Sequence, residues 1–225
     1  MQHYKKPYHT DMELLKQSTE NLLSAVDAIE EVGVLGGEPF LRKELPEILT
    51  LLSDNKKVKR VKVITNGTIL PSQPVLDALK HKKIYVSISR YPNVDFERII
   101  NALEKNGIRY FLNCYESWSD YGDLSLKPEN NGNIEKIYSS CTSAECKTVL
   151  NGQLFTCPRS SQGNDLGIIP ARDDEFVNLS GQSRDNLRKS IKRFYNKSYI
   201  SACNYCNAPW NRPEIECAKQ TPRKS

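Results

Sequence analysis

The first cysteine of this 225-residue chain is Cys114, which excludes a thiolate metal site from most of its N-terminal half. No apolar run approaches the roughly 20 residues needed to span a bilayer. The opening Met1-Gln-His-Tyr-Lys-Lys is polar, without a secretory apolar core, so export is not indicated and a cytoplasmic location is expected. Histidine is scarce: His3, His9 and His81 stand in polar, surface-like contexts, and none is assigned a role. The net charge of +5 is spread out, with short basic runs at Lys56–Arg60, Lys80–Lys83 and Arg188–Arg193 that read as solvated helix ends and faces. Neither a membrane nor a nucleic-acid partner is indicated. Hydrophobic content of 38% lies on the polar side for a globular protein, and the length allows one sizeable core or a core plus a small cofactor-stapled module.

Cysteine is instead concentrated late in the chain. Cys141, Cys146, Cys157, Cys203, Cys206 and Cys217 all follow residue 140, and without an export signal they favour metal or cluster binding over a disulfide framework. Cys203-x2-Cys206 can bind one metal or cluster, and a second pair from the Cys141–Cys157 region completes four thiolates. Cys146 is an alternative to Cys141, and zinc is an alternative to iron and sulfide. Cys114, at a strand end, reads as a buried apolar thiol.

Between these poles the hydrophobic periodicity alternates. Thr10-x-x-Glu13 is a capping box before a helix with Leu15, Leu22, Val26 and Ile29 at helical spacing. A strand over Val32–Leu35 ends in Gly36-Gly37-Glu38-Pro39, and a helical pattern begins near Arg42. Leu45, Ile48, Leu49 and Leu52 then recur as the stripe of a helix packed on a sheet. Strands are predicted over Val58–Thr65, Ile84–Ser89 and Ile108–Tyr115, separated by a short helix opening at Pro74 and another through Phe96, Ile99, Ile100 and Leu103 that stops at Asn106-Gly107. Four strands alternating with helices imply βαβ crossovers and a parallel sheet, hence an α/β fold. From residue 117 to 140 there is no clear periodicity. Asn151-Gly152 between two strand-like runs predicts a hairpin, and Arg184–Tyr195 a basic amphipathic helix.

Ligands of parallel sheets collect at the carboxyl ends of the strands. At that rim the sequence puts Gly36, Gly37 and Glu38, then Thr65-Asn66-Gly67-Thr68, then Ser87 and Ser89, then Asn113. Two residues without side chains let a ligand approach the backbone, and a carboxylate beside them suits an amine. Arg159, just after Cys157-Pro158, reads as a surface residue, the alternative being contact with a cluster sulfide or a substrate anion.

The run Gly36-Gly37-Glu38-Pro39 resembles the Gly-Gly-Glu-Pro motif of radical S-adenosylmethionine enzymes, and Thr65-Asn66-Gly67 is similar to the Thr-Asn-Gly that follows the next strand of that family. The resemblance implies that Gly36, Gly37, Glu38 and Pro39 form the loop that meets the methionyl amine, that Thr65 and Asn66 line the pocket floor, and that Ser87 or Ser89 approaches the ribose. The late cysteines resemble the family's auxiliary-cluster "twitch" module, a shortened SPASM domain, and on that resemblance Cys141, Cys157, Cys203 and Cys206 are the ligands of a second [4Fe-4S] cluster. The family also carries an upstream Cys-x3-Cys-x2-Cys loop for the cluster that splits the cofactor, and the chain has no such triplet.

The expectation is therefore a partial (β/α) barrel missing its first strand over residues 1–116, a linker over 117–140, and a cysteine-rich module over 141–225. Met1, ahead of a helix, is read as an internal start codon or a truncated gene model. A full-length bacterial, cytosolic form would generate a 5′-deoxyadenosyl radical for hydrogen abstraction from a small-molecule or peptide substrate, with electrons from a donor such as flavodoxin or ferredoxin. S-adenosyl-L-methionine would bind only with the N-terminal segment restored. The alternative is a non-catalytic four-cysteine iron–sulfur or zinc protein on the same scaffold.

Overall fold

Helix α1 (Met12–Ala25) starts where the Asp11 carboxylate accepts the Leu14 N–H at 2.9 Å, one residue later than the capping box predicts. The computed structural model describes Tyr4, residues 8–92 and residues 94–217; Met1, His3 and the last eight residues of the expected cysteine module lie outside the described residues. The chain divides into two compact units, one of residues 1–26 with 119–214, the other of residues 27–118 with 215–225.

The second of these units holds the parallel sheet. Its strands β1 (Ile29–Val34), β2 (Val58–Thr65), β3 (Ile84–Arg90) and β4 (Tyr110–Cys114) run in the order β1-β2-β3-β4, with Val34 opposite Val63, Thr65 opposite Ile88 and Ser89 opposite Asn113. The crossovers carry α2 (Leu45–Ser53), α3 (Gln73–Leu79) and α4 (Glu97–Lys105). Alternation puts Val61, Val63, Ile84, Val86 and Ile88 on the buried side, where they join Leu45, Leu49, Leu52, Val75, Leu79, Ile99 and Leu103 of the helices. The other face carries polar and aromatic residues beside Ile64: Glu31 accepts from the Tyr85 phenol at 2.7 Å and from Arg60 at 3.3 Å, and Phe111 stacks edge-on against Tyr85. Burial and the Glu31 carboxylate together push that phenol up to about 12. The α/β class and the parallel four-stranded sheet agree with the sequence reading.

Two details differ. The helix expected near Arg42 is a 3₁₀ turn over Pro39–Leu41 followed by α2, because Pro46 favours the first turn of a helix. Cys114, expected to be buried, is exposed, since β4 is an edge strand and ends there.

In the other unit, β6 (Thr148–Leu150) and β7 (Gln153–Phe155) form the predicted hairpin, with Asn151 and Gly152 both at positive φ (47° and 78°) as a tight primed turn requires. A strand the sequence does not announce, β8 (Phe176–Asn178), pairs antiparallel with β7. Helix α7 (Arg184–Tyr195) has the predicted bounds and presents Leu187, Ile191 and Phe194 to Leu154, Val177 and Leu179. Helix α1 joins this core through Ala25, Leu22 and Val26, rather than the sheet that follows it in sequence. A second core gathers Ile137 of α5 (Ile134–Ser139) with Ile169, Ile200, Ala202 and Cys203, beside α6 (Pro158–Asp165). Short strands β5 (Ser117–Ser119) and β9 (Glu214–Glu216) pair as a ribbon where the chain passes between the units. Among the described residues, no helix is long and apolar enough to cross a membrane.

Candidate functional site

Two groups of residues are assembled, one in each unit. In the sheet unit, the loop after β1 has Gly36 at φ 128° and Gly37 at φ 46°, and a Cβ at either would meet nothing within 4 Å. These glycines serve the backbone path and leave open space beside it. Glu38 follows and turns back onto the loop after β2. Its Oε1 accepts the Thr65 hydroxyl at 2.8 Å and the Phe40 N–H at 3.2 Å, and its Oε2 accepts the Asn66 N–H at 2.9 Å. A carboxylate offers about four acceptor positions, and the described contacts fill three of them. Burial holds the Glu38 carboxyl above the ordinary carboxylate range, with the hydrogen bonds from Asn66, Thr65 and Phe40 opposing it. An ammonium beside it would bring it down again.

Thr65 is buried and its hydroxyl also accepts the Gly67 N–H at 3.0 Å, so it links the two loops. Ser87 is buried and accepts the Asn113 amide at 2.7 Å, while Ser89 bonds Tyr91, whose phenol is pushed up mainly by burial. Glu38, Thr65 and Asn66 are thus brought into contact. Ser87 and Ser89 are engaged with neighbours on β4 and beyond β3.

In the cysteine unit, Cys203 and Cys206 lie within electrostatic range of Cys157 and Cys141. Burial pushes the Cys203 thiol up to about 12, and Cys206, Cys157 and Cys141 each add to that. Cys206 is pushed up to about 11 by burial, with Cys157 and Cys141 adding and Arg159 and Arg212 opposing. Buried thiols in mutual electrostatic range resist ionisation unless a cation joins them, and a metal supplies that charge. Cys157 caps α6, its sulfur accepting the Ser160 N–H at 3.4 Å. Asn130, buried, donates to the Cys203 carbonyl at 3.0 Å and the Cys206 carbonyl at 2.9 Å, gripping both ends of the Cys203-x2-Cys206 turn. Thr156 Oγ1, Arg159 Nε and Asn204 Oδ1, on the cysteine-bearing segments, are buried without a hydrogen-bond partner. Of these, the Thr156 hydroxyl and the Arg159 Nε–H are free to donate to a group that accepts, whereas Asn204 Oδ1 can only accept.

Cys146 is exposed. Cys217 belongs to the sheet unit, where its buried thiol donates to the Tyr115 carbonyl at 3.3 Å. Arg159, read from sequence as a surface residue, is half-buried and donates to the carbonyls of Gly122, Asp123 and Tyr205. Asn130 and Arg212 escape sequence reading altogether, since an asparagine in a polar loop and an arginine in a tail carry no spacing signal. Among the described residues, no group of three or more His, Cys, Asp or Glu side chains stands close enough together to hold a single metal ion.

No family model matches the chain. It is 23% identical over 205 residues to the Fe-coproporphyrin III synthase of Methanosarcina barkeri (strain Fusaro / DSM 804), covering 86% of this chain and 49% of that protein. It is 34% identical over 76 residues to the GTP 3',8-cyclase of Aquifex aeolicus (strain VF5), covering 32% of this chain and 23% of that protein. The chain therefore spans about half the length, or less, of these curated relatives. The crystal structure of BtrN in complex with AdoMet and 2-DOIA superposes with a TM-score of 0.49 and 16% identity, over 90% of this chain and 82% of that one.

Proposed function

We propose that this chain is part of a radical S-adenosylmethionine protein that carries an auxiliary [4Fe-4S] cluster on Cys141, Cys157, Cys203 and Cys206. The observation that supports the reading is that Cys203 and Cys157, far apart in sequence, share one buried core, with Cys203 and Cys206 in electrostatic range of Cys141 and Cys157. The rim of the sheet supports the other half of it. Glu38 stands beside two glycines that leave the backbone open, which suits the methionyl amine of the cofactor, with Ser87 or Ser89 toward its ribose. Thr65 and Asn66 aim the carboxylate. In the whole protein, a reduced cluster on a Cys-x3-Cys-x2-Cys loop would split the cofactor, fed by a flavodoxin- or ferredoxin-like donor. The chain lacks that triplet, so alone it is inferred not to cleave the cofactor.

Anaerobic purification followed by iron and acid-labile sulfide analysis tests the cluster. Iron and sulfide present in the parent chain, lost in Cys206→Ala and kept in Cys146→Ala, is the expected pattern. Stoichiometric zinc without sulfide overturns it in favour of a structural zinc site. Release of 5′-deoxyadenosine by this chain with dithionite, above a cluster-free control, would show that it cleaves the cofactor unaided.

A further inference from the structure

Arg212 is fixed in three directions. Its guanidinium carbon lies 3.8 Å over the centre of the Tyr121 ring, its Nε donates to the Asn207 carbonyl at 3.1 Å, and its Nη2 donates to the Cys141 sulfur at 3.7 Å. Stacking sets the plane of the group, the carbonyl sets its rotation, and the remaining edge faces a thiol. A lysine could supply the charge but neither the stacked plane nor two donors held in fixed directions. The other guanidinium near these cysteines, on Arg159, spends its Nη2 on three backbone carbonyls and braces the loops around residues 122 and 205. Arg212 is the one of the two that reaches a cysteine sulfur directly.

We infer that Arg212 is a positioning residue that raises the reduction potential of the cluster held by the four cysteines, through its charge and its N–H donated to the Cys141 sulfur. The inference rests on the cluster reading proposed above. A four-thiolate cluster carries net negative charge, and reduction adds one more electron to it. A fixed cation nearby and a donor to a ligating sulfur both favour the electron-richer state, and net charge and hydrogen bonds to sulfur are among the main levers on such potentials. In a half-buried setting this charge is weakly screened by salt.

The test is an EPR-monitored redox titration of the anaerobically reconstituted full chain, with iron and sulfide measured on the same samples. Arg212→Gln should load iron and sulfide as the parent does and show a more negative midpoint. Arg212→Lys, which keeps the charge but loses the stacked donor edge, should fall between the two. A midpoint in Arg212→Gln equal to the parent's overturns the inference. Failure of Arg212→Gln to load the cluster also overturns it, because Arg212 would then serve assembly of the site rather than its potential. If the parent chain itself contains zinc and no sulfide, the cluster reading fails first, and metal analysis shows this before any titration.

Discussion

Glu38 accepts three hydrogen bonds and its carboxyl still stands above the ordinary carboxylate value of 4.5, because burial costs the charged form more than the donors return. A carboxyl raised in the folded state binds its proton more tightly than in the unfolded chain. Its contribution to stability is therefore complete below the unfolded value and is lost as pH rises through the folded value. The urea midpoint should fall as pH climbs from 4.5 upward, and Glu38→Gln should flatten that part of the profile. An unchanged slope in the variant would show that other groups govern it. The glycines around this carboxylate differ in what holds them. At Gly67, φ is 73° and a Cβ would stand 2.7 Å from two atoms of the Phe96 ring, so Gly67→Ala should cost about 2–4 kcal/mol from backbone strain plus overpacking. At Gly37 only the backbone objects, and Gly37→Ala should cost about 1 kcal/mol. Chemical denaturation of the two variants side by side checks the ordering.

Elements were legible in proportion to their length and to how far their partners lie along the chain. β2 and α7 have the bounds the pattern predicts, because eight and twelve residues give alternation and helical spacing room to repeat. The Asn151-Gly152 hairpin was readable from the turn chemistry alone. β8 and α5, three and six residues long, are too short for a period to emerge, and both fall where the composition reads as loop. The convergence of Glu38 with Thr65 and Asn66 was readable too, since neighbouring parallel strands deliver their loops to the same rim. The cysteines were readable as a count, with Cys141 and Cys146, five residues apart on one turn-rich segment, as alternatives for one position. Asn130 was invisible, although it joins the 3₁₀ turn over Pro128–Asn130 to the Cys203–Cys206 turn. Asn130→Ala leaves two carbonyls without their donor, at about 1–3 kcal/mol for each that stays dry. A lower urea midpoint and faster loss of bound metal to a chelator are expected, whereas parent-like values for both would mean that the clamp is redundant.

At the scale of the whole molecule, neither unit is continuous in sequence. Helix α1 lends Leu22, Ala25 and Val26 to the core built on β7, β8 and α7, and its C-terminal carbonyls at Ser24 and Ala25 accept from Arg184 and Arg188. A helical stripe shows which face is apolar but not what covers it, so this attachment could not be read from sequence. A chain beginning at residue 27 should keep hydrogen-exchange protection in β2 and β3 and lose it in β7 and α7. Equal loss throughout would show that the units unfold together. The same attachment bears on synthesis. Ser24 leaves the ribosome 160 residues before the arginine that binds its carbonyl. At about 5–20 residues per second that is a wait of roughly ten to thirty seconds. The sheet of the other unit has all four of its strands by residue 114 and can close in that interval, while the apolar face of α1 stays uncovered. Nascent chains arrested before residue 184 should therefore be cut by protease at α1 and resist it in the sheet, which makes α1 one of the last elements to be secured.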